Sequence, residues 1–178
     1  MRIIAGTHRG RRFAAPKGAD TRPTGDRVRE ALFNLVGPVD GATVLDLYAG
    51  SGALGLEAHS RGARRCVFVE SDGAACRVIT SNLEALGLTG ALVLQRDALA
   101  VLTQERSAGR RYDLVLLDPP YDRWDSLEKR LAELLPAVVA NDGLVVVETD
   151  AGVDPTLPLD PVTTRRYGSA RLTLFTSR

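Results

Sequence analysis

The sequence predicts an α/β fold with a central, mostly parallel sheet, and three observations indicate it. First, aliphatic runs of strand length alternate with amphipathic stretches of helix length from residue 42 to residue 149. Second, the strands are nearly continuous apolar runs, which is typical of parallel strands covered by helices on both faces. Third, glycines or acidic residues follow several of these strands, at the sheet edge where open α/β folds bind ligands.

The chain begins with a segment that predicts a basic hairpin, residues 1–22, ahead of one main domain, residues 23–178. The apolar stretches of MRIIAG and FAAP flank a turn rich in glycine and arginine, as expected of two short strands. The following RPTGDRVREALFNLVGP predicts a helix, with Thr24 as N-cap and Gly37 then Pro38 at its end. The predicted apolar stripe of this helix consists of Val28, Leu32, Leu35 and Val36.

The remaining elements follow from the alternation of the two patterns. Five strands are predicted at TVLDLY, CVFVE, ALVLQR, YDLVLLD and GLVVVET, and the helices between them at SGALGLEAHSR, DGAACRVITSNLEAL, ALAVLTQER and SLEKRLAELLPAVVA. VTTRRYG and ARLTLFT then form two more strands. Because the turn between them leaves no room for a crossover helix, these two strands are antiparallel.

Composition excludes several classes of protein. No apolar run approaches the roughly 20 residues that a membrane span requires, and the N-terminus lacks the long apolar core of a signal peptide. The two cysteines, Cys66 and Cys76, have neither disulfide-scaffold nor metal-site spacing, so they are predicted to be small buried side chains. A reducing cytoplasm is the location that this cysteine usage indicates.

Charge is distributed unevenly along the chain. The net charge is +1, yet the first 30 residues carry eight basic and three acidic residues, and the remainder is therefore slightly acidic. A basic arm on an acidic body predicts a polyanionic partner that approaches from one end, although a solvated charged tail has the same composition.

The first predicted strand runs into DLYAGSGALGLEA, where Gly50, Gly52 and Gly55 satisfy G-x-G-x-x-G between a strand and a helix. This pattern alone suits NAD equally well, or a tight turn without a ligand. Glu70 ends the second strand, where an acid binds the hydroxyls of a ribose, and Asp97 ends the third, next to where an adenine edge lies. Either acid alone is also compatible with a charge at a helix N-terminus.

Asp46, inside the first strand, discriminates between the possible cofactors. A carboxylate there repels the pyrophosphate of a dinucleotide and attracts an ammonium group. S-adenosylmethionine carries an ammonium group, an adenine and a free ribose without a phosphate. The sequence therefore predicts S-adenosylmethionine as cofactor.

The stretch LVLLDPPYDRW ends a buried strand on Asp118 and then fixes two backbone angles with Pro119 and Pro120, which have no N–H. The Asp118 carboxylate and the Pro119 carbonyl form two acceptors suited to an amino group, and Tyr121 offers a face on which a base can stack. Acceptors fixed beside a nucleobase amine favour the geometry that develops as its nitrogen attacks a sulfonium methyl. No metal is predicted.

On RIIAGTHRGRRF, RPTGDRVREALFN, DLYAGSGALGLEA and DPPY, the chain resembles the bacterial 16S rRNA guanine-N2 methyltransferase family, within S-adenosylmethionine-dependent class I methyltransferases. The resemblance implies a Rossmann-like, seven-stranded sheet with an antiparallel last strand and an N-terminal β-hairpin extension. It also implies methylation of one guanine of 16S rRNA in an assembling small subunit. A monomer is the expectation for a chain of this size, and the sequence leaves the oligomeric state open.

The resemblance carries roles onto individual positions. Those implied to bind the cofactor are Asp46, Tyr48, Gly50, Ser51, Gly52, Glu70, Ser71, Asp97 and Ala98. Those implied to be catalytic are Asp118, Pro119, Pro120 and Tyr121. Those expected to bind RNA are Arg9, Arg11, Arg12, Arg22 and Arg27. The first three, in the hairpin, would contact phosphates. Arg22 and Arg27 lie in RPTGDRVRE, which is expected to cover the cofactor or the target base, although helix capping and surface charge would also explain them. Trp124 suits either stacking on a nucleotide or packing in the core.

Three alternatives stay open at this point. An N6-adenine DNA methyltransferase uses the same two acceptors, although the chain is small and lacks a target-recognition domain. An NAD-dependent oxidoreductase is compatible with the glycine pattern alone. A catalytically idle RNA-binding module would use only the basic arm.

Overall fold

The computed structural model describes residues 1–16 and 25–178 of the chain. Its helices and strands alternate as the sequence predicts. In chain order they are α1 (Asp26–Val36), β1 (Thr43–Leu47), α2 (Ala53–Ser60), β2 (Arg65–Glu70), α3 (Gly73–Leu86), β3 (Ala91–Gln95), α4 (Ala98–Ser107), β4 (Tyr112–Leu117), a 3₁₀ turn (Tyr121–Arg123), α5 (Trp124–Val138), β5 (Val139–Asp150), β6 (Asp160–Tyr167) and β7 (Ala170–Thr176).

The seven strands form one sheet in the order β3-β2-β1-β4-β5-β7-β6. The first five strands pair in parallel, and β7 is antiparallel to both β5 and β6. The predicted parallel sheet with a reversed C-terminal strand is thereby confirmed. The chain moves outward from β1 to β3 and then returns to place β4 beside β1, and open α/β sheets bind ligands at such a switch point.

Alternating side chains of the central strands fill two separate cores. Val44 of β1 packs with α1, α2 and α3 on one face, whereas Leu45 and Leu47 pack with α4 and α5 on the other. Burial on both faces explains why these strands are continuous apolar runs. Both cysteines are free and buried, as predicted. Within the described residues, no helix has the length and apolar character needed to cross a membrane.

Helix α1 differs in detail from its prediction. Its N-cap is Gly25, and the predicted cap, Thr24, lies outside the described residues. Leu32 is buried as predicted, but Phe33 and Arg29 are the other buried members of the helix. The remaining members of the predicted stripe are only half-buried. The buried face is rotated because Arg29 reaches an internal carboxylate, that of Glu57 on α2.

Glu57 explains how the N-terminal segment is held. This fully buried carboxylate accepts hydrogen bonds from the backbone N–H groups of Ile4 (2.8 Å) and Ala5 (2.9 Å) and from Arg61 Nε (2.8 Å). It also lies 3.6 Å from Arg29 Nε. A buried carboxylate surrounded by donors in this way fixes its neighbours, because removing it would leave several buried donors without an acceptor.

The predicted N-terminal hairpin is present as a tight loop with little strand character. Arg2 and Arg12 form an isolated antiparallel bridge, and the Ile3 N–H donates to the Arg11 carbonyl at 2.9 Å. Gly6, at the tip with φ +83°, lies so close to α2 that a Cβ there would be 1.8 Å from the Ser60 carbonyl oxygen. The N-terminal loop is therefore held by its packing against α2, and not by a long ladder of strand hydrogen bonds.

The C-terminal hairpin leaves β6 as one edge of the sheet. The pairing of β6 with β7 shifts register between Pro161 and Thr163. Val162, Arg165 and Arg166 are exposed on this edge strand. Trp124, the first residue of α5, is only 2% exposed, so it packs in the core and cannot stack on a nucleotide in this conformation.

Candidate active site

A cleft of about 620 Å³ opens at the carboxyl ends of the parallel strands, where β1 and β4 lie side by side. Of the predicted cofactor-binding and catalytic residues, only Gly52 is not part of its lining. The predicted residues that line it are Asp46, Tyr48, Gly50, Ser51, Glu70, Ser71, Asp97, Ala98, Asp118, Pro119, Pro120 and Tyr121. The fold thus brings together residues that are as many as 75 positions apart in the chain.

Two of the three motif glycines after β1, Gly52 and Gly55, are required by close contacts. Gly52 has φ +77° as the N-cap of α2, and a Cβ there would lie 3.1 Å from Ile79 Cγ1. A Cβ on Gly55 would lie 2.3 Å from Phe68 Cε1 and 2.9 Å from Asp46 Oδ2. Gly52 therefore allows the positive φ of the turn and its packing on α3, and Gly55 allows α2 to approach Asp46.

Asp46 lies at the base of the cleft and is 1% exposed. Its Oδ2 accepts the backbone N–H of Gly55 at 2.9 Å. Burial raises the pKa of Asp46 to about 7, the Gly55 hydrogen bond opposes this change, and the nearby charge of Glu70 adds to it. A carboxylate that is this poorly solvated favours a cationic ligand group beside it.

Glu70, at the end of β2, lies against the glycine loop. Its Oε2 accepts the backbone N–H of Gly50 at 2.8 Å, and its Oε1 accepts that of Asp72 at 2.9 Å. These bonds hold the carboxylate at the cleft wall, the position expected of a group that binds a ribose.

Asp97 caps a helix and also lines the cleft, so its predicted contact with the adenine stays a prediction. Its Oδ1 accepts the Ala100 N–H at 3.0 Å and so caps α4, while the residue also lines the cleft. Facing the same space is Tyr48, which has φ +60°, an uncommon conformation for a residue other than glycine. Its buried hydroxyl has no hydrogen-bond partner among the described residues. Burial, and then the charge of Asp97, raise the pKa of Tyr48 to about 12, so the hydroxyl stays a donor.

The DPPY segment (residues 118–121) forms the side of the cleft at the end of β4. The Asp118 N–H lies 3.5 Å from the Leu47 carbonyl, which continues the pairing of β4 with β1 by one residue. Pro120 precedes the 3₁₀ turn, and its carbonyl accepts the Arg123 N–H at 3.0 Å. The segment is therefore anchored on both sides of its prolines.

Glu148 is a cleft residue that the sequence reasoning missed. It lies near the end of β5, is 6% exposed, and accepts a hydrogen bond from the Tyr121 hydroxyl at 3.0 Å. The available signal was the single acid that ends the aliphatic run LVVVE, because its strand lies beside β4. The bond also gives the Tyr121 hydroxyl a partner, which the sequence could not identify.

Most of the arginines predicted to contact RNA lie on the surface, outside the cleft. Arg9, Arg12 and Arg27 are exposed, and Arg11 is exposed but donates to the Ala85 carbonyl at 2.8 Å at the end of α3. The prediction for Arg22 lies outside the described residues. Two arginines of the basic arm have internal partners instead, since Arg2 and Arg29 both pair with Asp26.

Electrostatically the described part of the cleft is acidic. Its carboxylates outnumber its guanidinium groups, which are those of Arg96 and Arg123. The carboxylates belong to Asp46, Glu70, Asp97, Asp118 and Glu148. A cleft of this charge favours a cationic ligand and disfavours a pyrophosphate, so the residues present fit S-adenosylmethionine better than NAD.

Sequence comparisons give relatives along the whole chain. The protein-family model described as Conserved hypothetical protein 95 matches residues 1–176. The chain is 39% identical over 188 residues to YlbH of Bacillus subtilis (strain 168), provisionally named an rRNA methyltransferase, with 100% of both chains covered. It is 40% identical over 164 residues to ribosomal RNA small subunit methyltransferase D of Escherichia coli (strain K12), covering 90% of this chain and 79% of that one.

Solved structures with the same fold include yhhF from Escherichia coli, provisionally titled a methyltransferase. It matches with a TM-score of 0.89 and 36% identity, over 100% of this chain and 98% of that one. SMU.776, also provisionally titled a methyltransferase and complexed with S-adenosylhomocysteine (SAH), matches with a TM-score of 0.63. Its identity is 18%, over 85% of this chain and 48% of that one, so this likeness shows the fold alone.

Proposed function

The chain belongs to the Conserved hypothetical protein 95 family, and from this premise we propose that it methylates the exocyclic N2 of one guanine in small-subunit rRNA. Its fold is the class I methyltransferase fold, and its cofactor is S-adenosylmethionine. The observation that carries the proposal is the position of the DPPY segment (residues 118–121), which opens onto the same cleft as the glycine loop and the strand-end acids.

The cleft offers a place for each part of the cofactor. On the methionine side, the buried carboxylate of Asp46 would attract the ammonium group. Tyr48, Gly50 and Ser51 line the same region. Glu70 with Ser71 would hold the ribose, and Asp97 with Ala98 the adenine. When bound, S-adenosylmethionine supplies a methyl group activated by its sulfonium.

The DPPY segment would position the amine that receives the methyl group. The Asp118 carboxylate and the Pro119 carbonyl accept its two hydrogens, which favours a pyramidal nitrogen with its lone pair directed into the cleft. The Tyr121 ring stacks on the extruded base. Holding the amine at contact distance in this orientation supplies much of the remaining rate enhancement.

The basic N-terminal segment would position the RNA. Arg9 and Arg12 are exposed on a loop fixed to α2, and the same segment reaches the cleft through Met1, Ala15 and Pro16. Contacts between such arginines and phosphates orient a strand without reading its sequence. We propose an assembling small subunit as the substrate and a monomer as the active form.

Asp118→Ala tests the proposal. Removing the carboxylate is expected to lower the transfer rate by at least about 100-fold while the affinity for S-adenosylmethionine stays within about twofold. Transfer is measured with labelled cofactor on small-subunit rRNA, and affinity by calorimetry. Asp122→Ala, on an exposed neighbour outside the cleft lining, is the matched control.

Mass spectrometry of the methylated nucleoside then identifies the atom. N2-methylguanosine supports the proposal, and its absence from rRNA of cells that lack this protein would locate the target nucleotide. N6-methyladenosine, or full activity of the Asp118 variant, would overturn it. Tight binding of NADH in the same calorimetric experiment would favour the oxidoreductase alternative.

A further inference from the structure

The N-terminal loop (residues 1–16) reaches the end of the domain opposite the cleft. Its two ends lie at the cleft, which Met1 and Pro16 line. Its tip contacts the C-terminal end of α2, where the Thr7 N–H donates to the Ser60 carbonyl at 2.8 Å. Because α2 joins the parallel strands β1 and β2, it runs back along the sheet and ends near their amino ends. Arg9, close to the tip, is exposed there.

Two more arginines lie at this end of the domain, where β2 begins. Arg64 and Arg65 are both exposed. Four residues separate Ser60 from Arg64, so their Cα atoms are at most about 14 Å apart. The strand then runs to Glu70 in the cleft wall, which places Arg65 roughly 17 Å from that residue. Arg9, Arg64 and Arg65 are called the distal basic surface below.

The internal contacts of the fold do not explain the arginines at the start of β2. In residues 1–16 and 25–178, neither Arg64 nor Arg65 has a side-chain hydrogen bond or a salt bridge. The charge of Arg65 also acts on Glu105 of α4, but both oxygens of that carboxylate already accept hydrogen bonds from Arg110. Arg61 differs from them, because it pairs with the buried carboxylate on α2. The charges at the start of β2 are therefore available to a partner.

The distal basic surface differs from the cleft in the sign of its charge. Two exposed acids adjoin it. Asp40 lies beside the turn after α2, and Asp113 accepts the N–H and the hydroxyl of Thr43, which is the β1 partner of Arg65. The described part of the cleft, in contrast, has five carboxylates and two guanidinium groups. A polyanion is therefore repelled at the cleft, and its attraction to the enzyme must come from surfaces outside it.

We propose that the distal basic surface binds phosphates of a second rRNA segment, at the opposite end of the domain from the nucleotide in the cleft. The guanidinium group suits this contact, because it binds a phosphate through two parallel hydrogen bonds. An RNA held in the cleft would bring its neighbouring helices to this surface at a high effective concentration. This role rests on the proposed function and deepens it, because the substrate is then a folded rRNA domain and not a short strand around the target guanine.

The test compares two RNAs that contain the target guanine, a short hairpin and a longer fragment with the flanking helices of the small-subunit rRNA. Filter binding at several salt concentrations gives the affinity and the slope of log affinity against log salt. The wild-type enzyme is expected to bind the longer fragment more tightly and with a steeper slope, because that fragment adds phosphate contacts outside the cleft.

The double variant Arg64→Ala with Arg65→Ala should lose this advantage. We expect it to bind the longer fragment about 10-fold more weakly at about 0.1 M salt, with a slope reduced by about 1.4. It should bind the short hairpin like the wild type, and its kcat with saturating RNA should be unchanged, because neither residue lines the cleft.

Two further double variants separate charge from structure and position. Arg64→Lys with Arg65→Lys keeps both charges and should restore most of the slope. Arg165→Ala with Arg166→Ala removes the same charge from exposed positions of β6, which four strands separate from β2. This matched control should bind both RNAs like the wild type.

An unchanged slope in the Arg64→Ala with Arg65→Ala variant overturns the inference, and so does an equal loss of affinity for the hairpin and the longer fragment. A loss with assembled subunits but none with naked RNA would assign the surface to a protein partner, which also overturns it. In these cases the wild-type enzyme still forms N2-methylguanosine, and the proposed function stands. No transfer by the wild-type enzyme to either RNA or to subunits would defeat the proposed function, and the inference with it.

Discussion

The buried carboxylate of Asp46 is expected to make the stability of the ligand-free protein depend on pH, and Asp46→Asn should remove that dependence. Burial raises the pKa of this group from its ordinary value of 3.8 to about 7 in the folded protein. As pH rises, the unfolded chain therefore loses the proton first. The free energy of unfolding is therefore highest below about pH 4, where Asp46 is protonated in both states. It falls as pH rises and reaches its lower value by about pH 7.

The size of the effect follows from the two pKa values. At about 1.4 kcal/mol per pH unit, moving from 3.8 to about 7 lowers the free energy of unfolding by about 4 kcal/mol. The carboxamide of the Asp46→Asn variant would keep an oxygen able to accept the Gly55 N–H but cannot ionise. The free-energy difference between variant and wild type should therefore grow by about 4 kcal/mol from pH 4 to pH 8, whatever its value at pH 4.

Urea denaturation at pH 4, 6 and 8 without cofactor measures this difference. Trp124 is the single tryptophan and is buried, so its fluorescence reports unfolding. Asp122→Asn, on an exposed acid, is the control and should show a difference that does not vary with pH. A difference for Asp46→Asn that is constant from pH 4 to pH 8 would refute the reasoning.

Binding of S-adenosylmethionine should lower the raised pKa of Asp46. An ammonium group beside Asp46 stabilises its ionised form, so binding below pH 7 must release a proton. We expect the affinity of the wild-type protein for S-adenosylmethionine to rise up to about tenfold per pH unit toward pH 7, and that of Asp46→Asn to rise less. Calorimetry in two buffers of different ionisation enthalpy counts the released proton.

Two other changes have expected outcomes. Glu57→Gln should lower the free energy of unfolding by about 3–5 kcal/mol, because it breaks a buried ion-pair network, whereas the exposed Glu84→Gln should change it by less than about 0.5 kcal/mol in urea denaturation. The double variant Arg9→Ala with Arg12→Ala should weaken RNA binding equally for different sequences and reduce the slope of log affinity against log salt by about 1.4. Filter binding at several salt concentrations checks it, and an unchanged slope would contradict a phosphate contact by these arginines.

Much of the fold could be predicted because the determining signals are local. A run such as CVFV (residues 66–69) is apolar at every position, which indicates a strand covered on both faces. The ends of parallel strands meet at one edge of the sheet, so Glu70, Asp97 and Asp118 could be placed together without knowing any long-range contact. The cleft that these residues line is the outcome of that rule.

What could not be predicted depends on partners distant in the chain. Arg29 looks in the sequence like one more positive charge of the basic arm, yet it is buried against Glu57, 28 positions away. Helical periodicity shows which residues share a face and does not show that a charged one has an internal partner. For the same reason Glu148 could be assigned to a buried strand but not to the cleft, since its contact with Tyr121 spans 27 positions.

The outer strand β6 has a consequence for how the molecule behaves at high concentration. An edge strand has unpaired N–H and C=O groups with which a strand of another molecule can pair, and repeated pairing of this kind produces fibrils. Here Pro161 lacks an amide hydrogen, the adjoining irregularity interrupts the ladder, and Arg165 with Arg166 repel an identical neighbour. Replacing these residues with β-branched apolar ones would remove that protection and favour self-association through the edge strand β6.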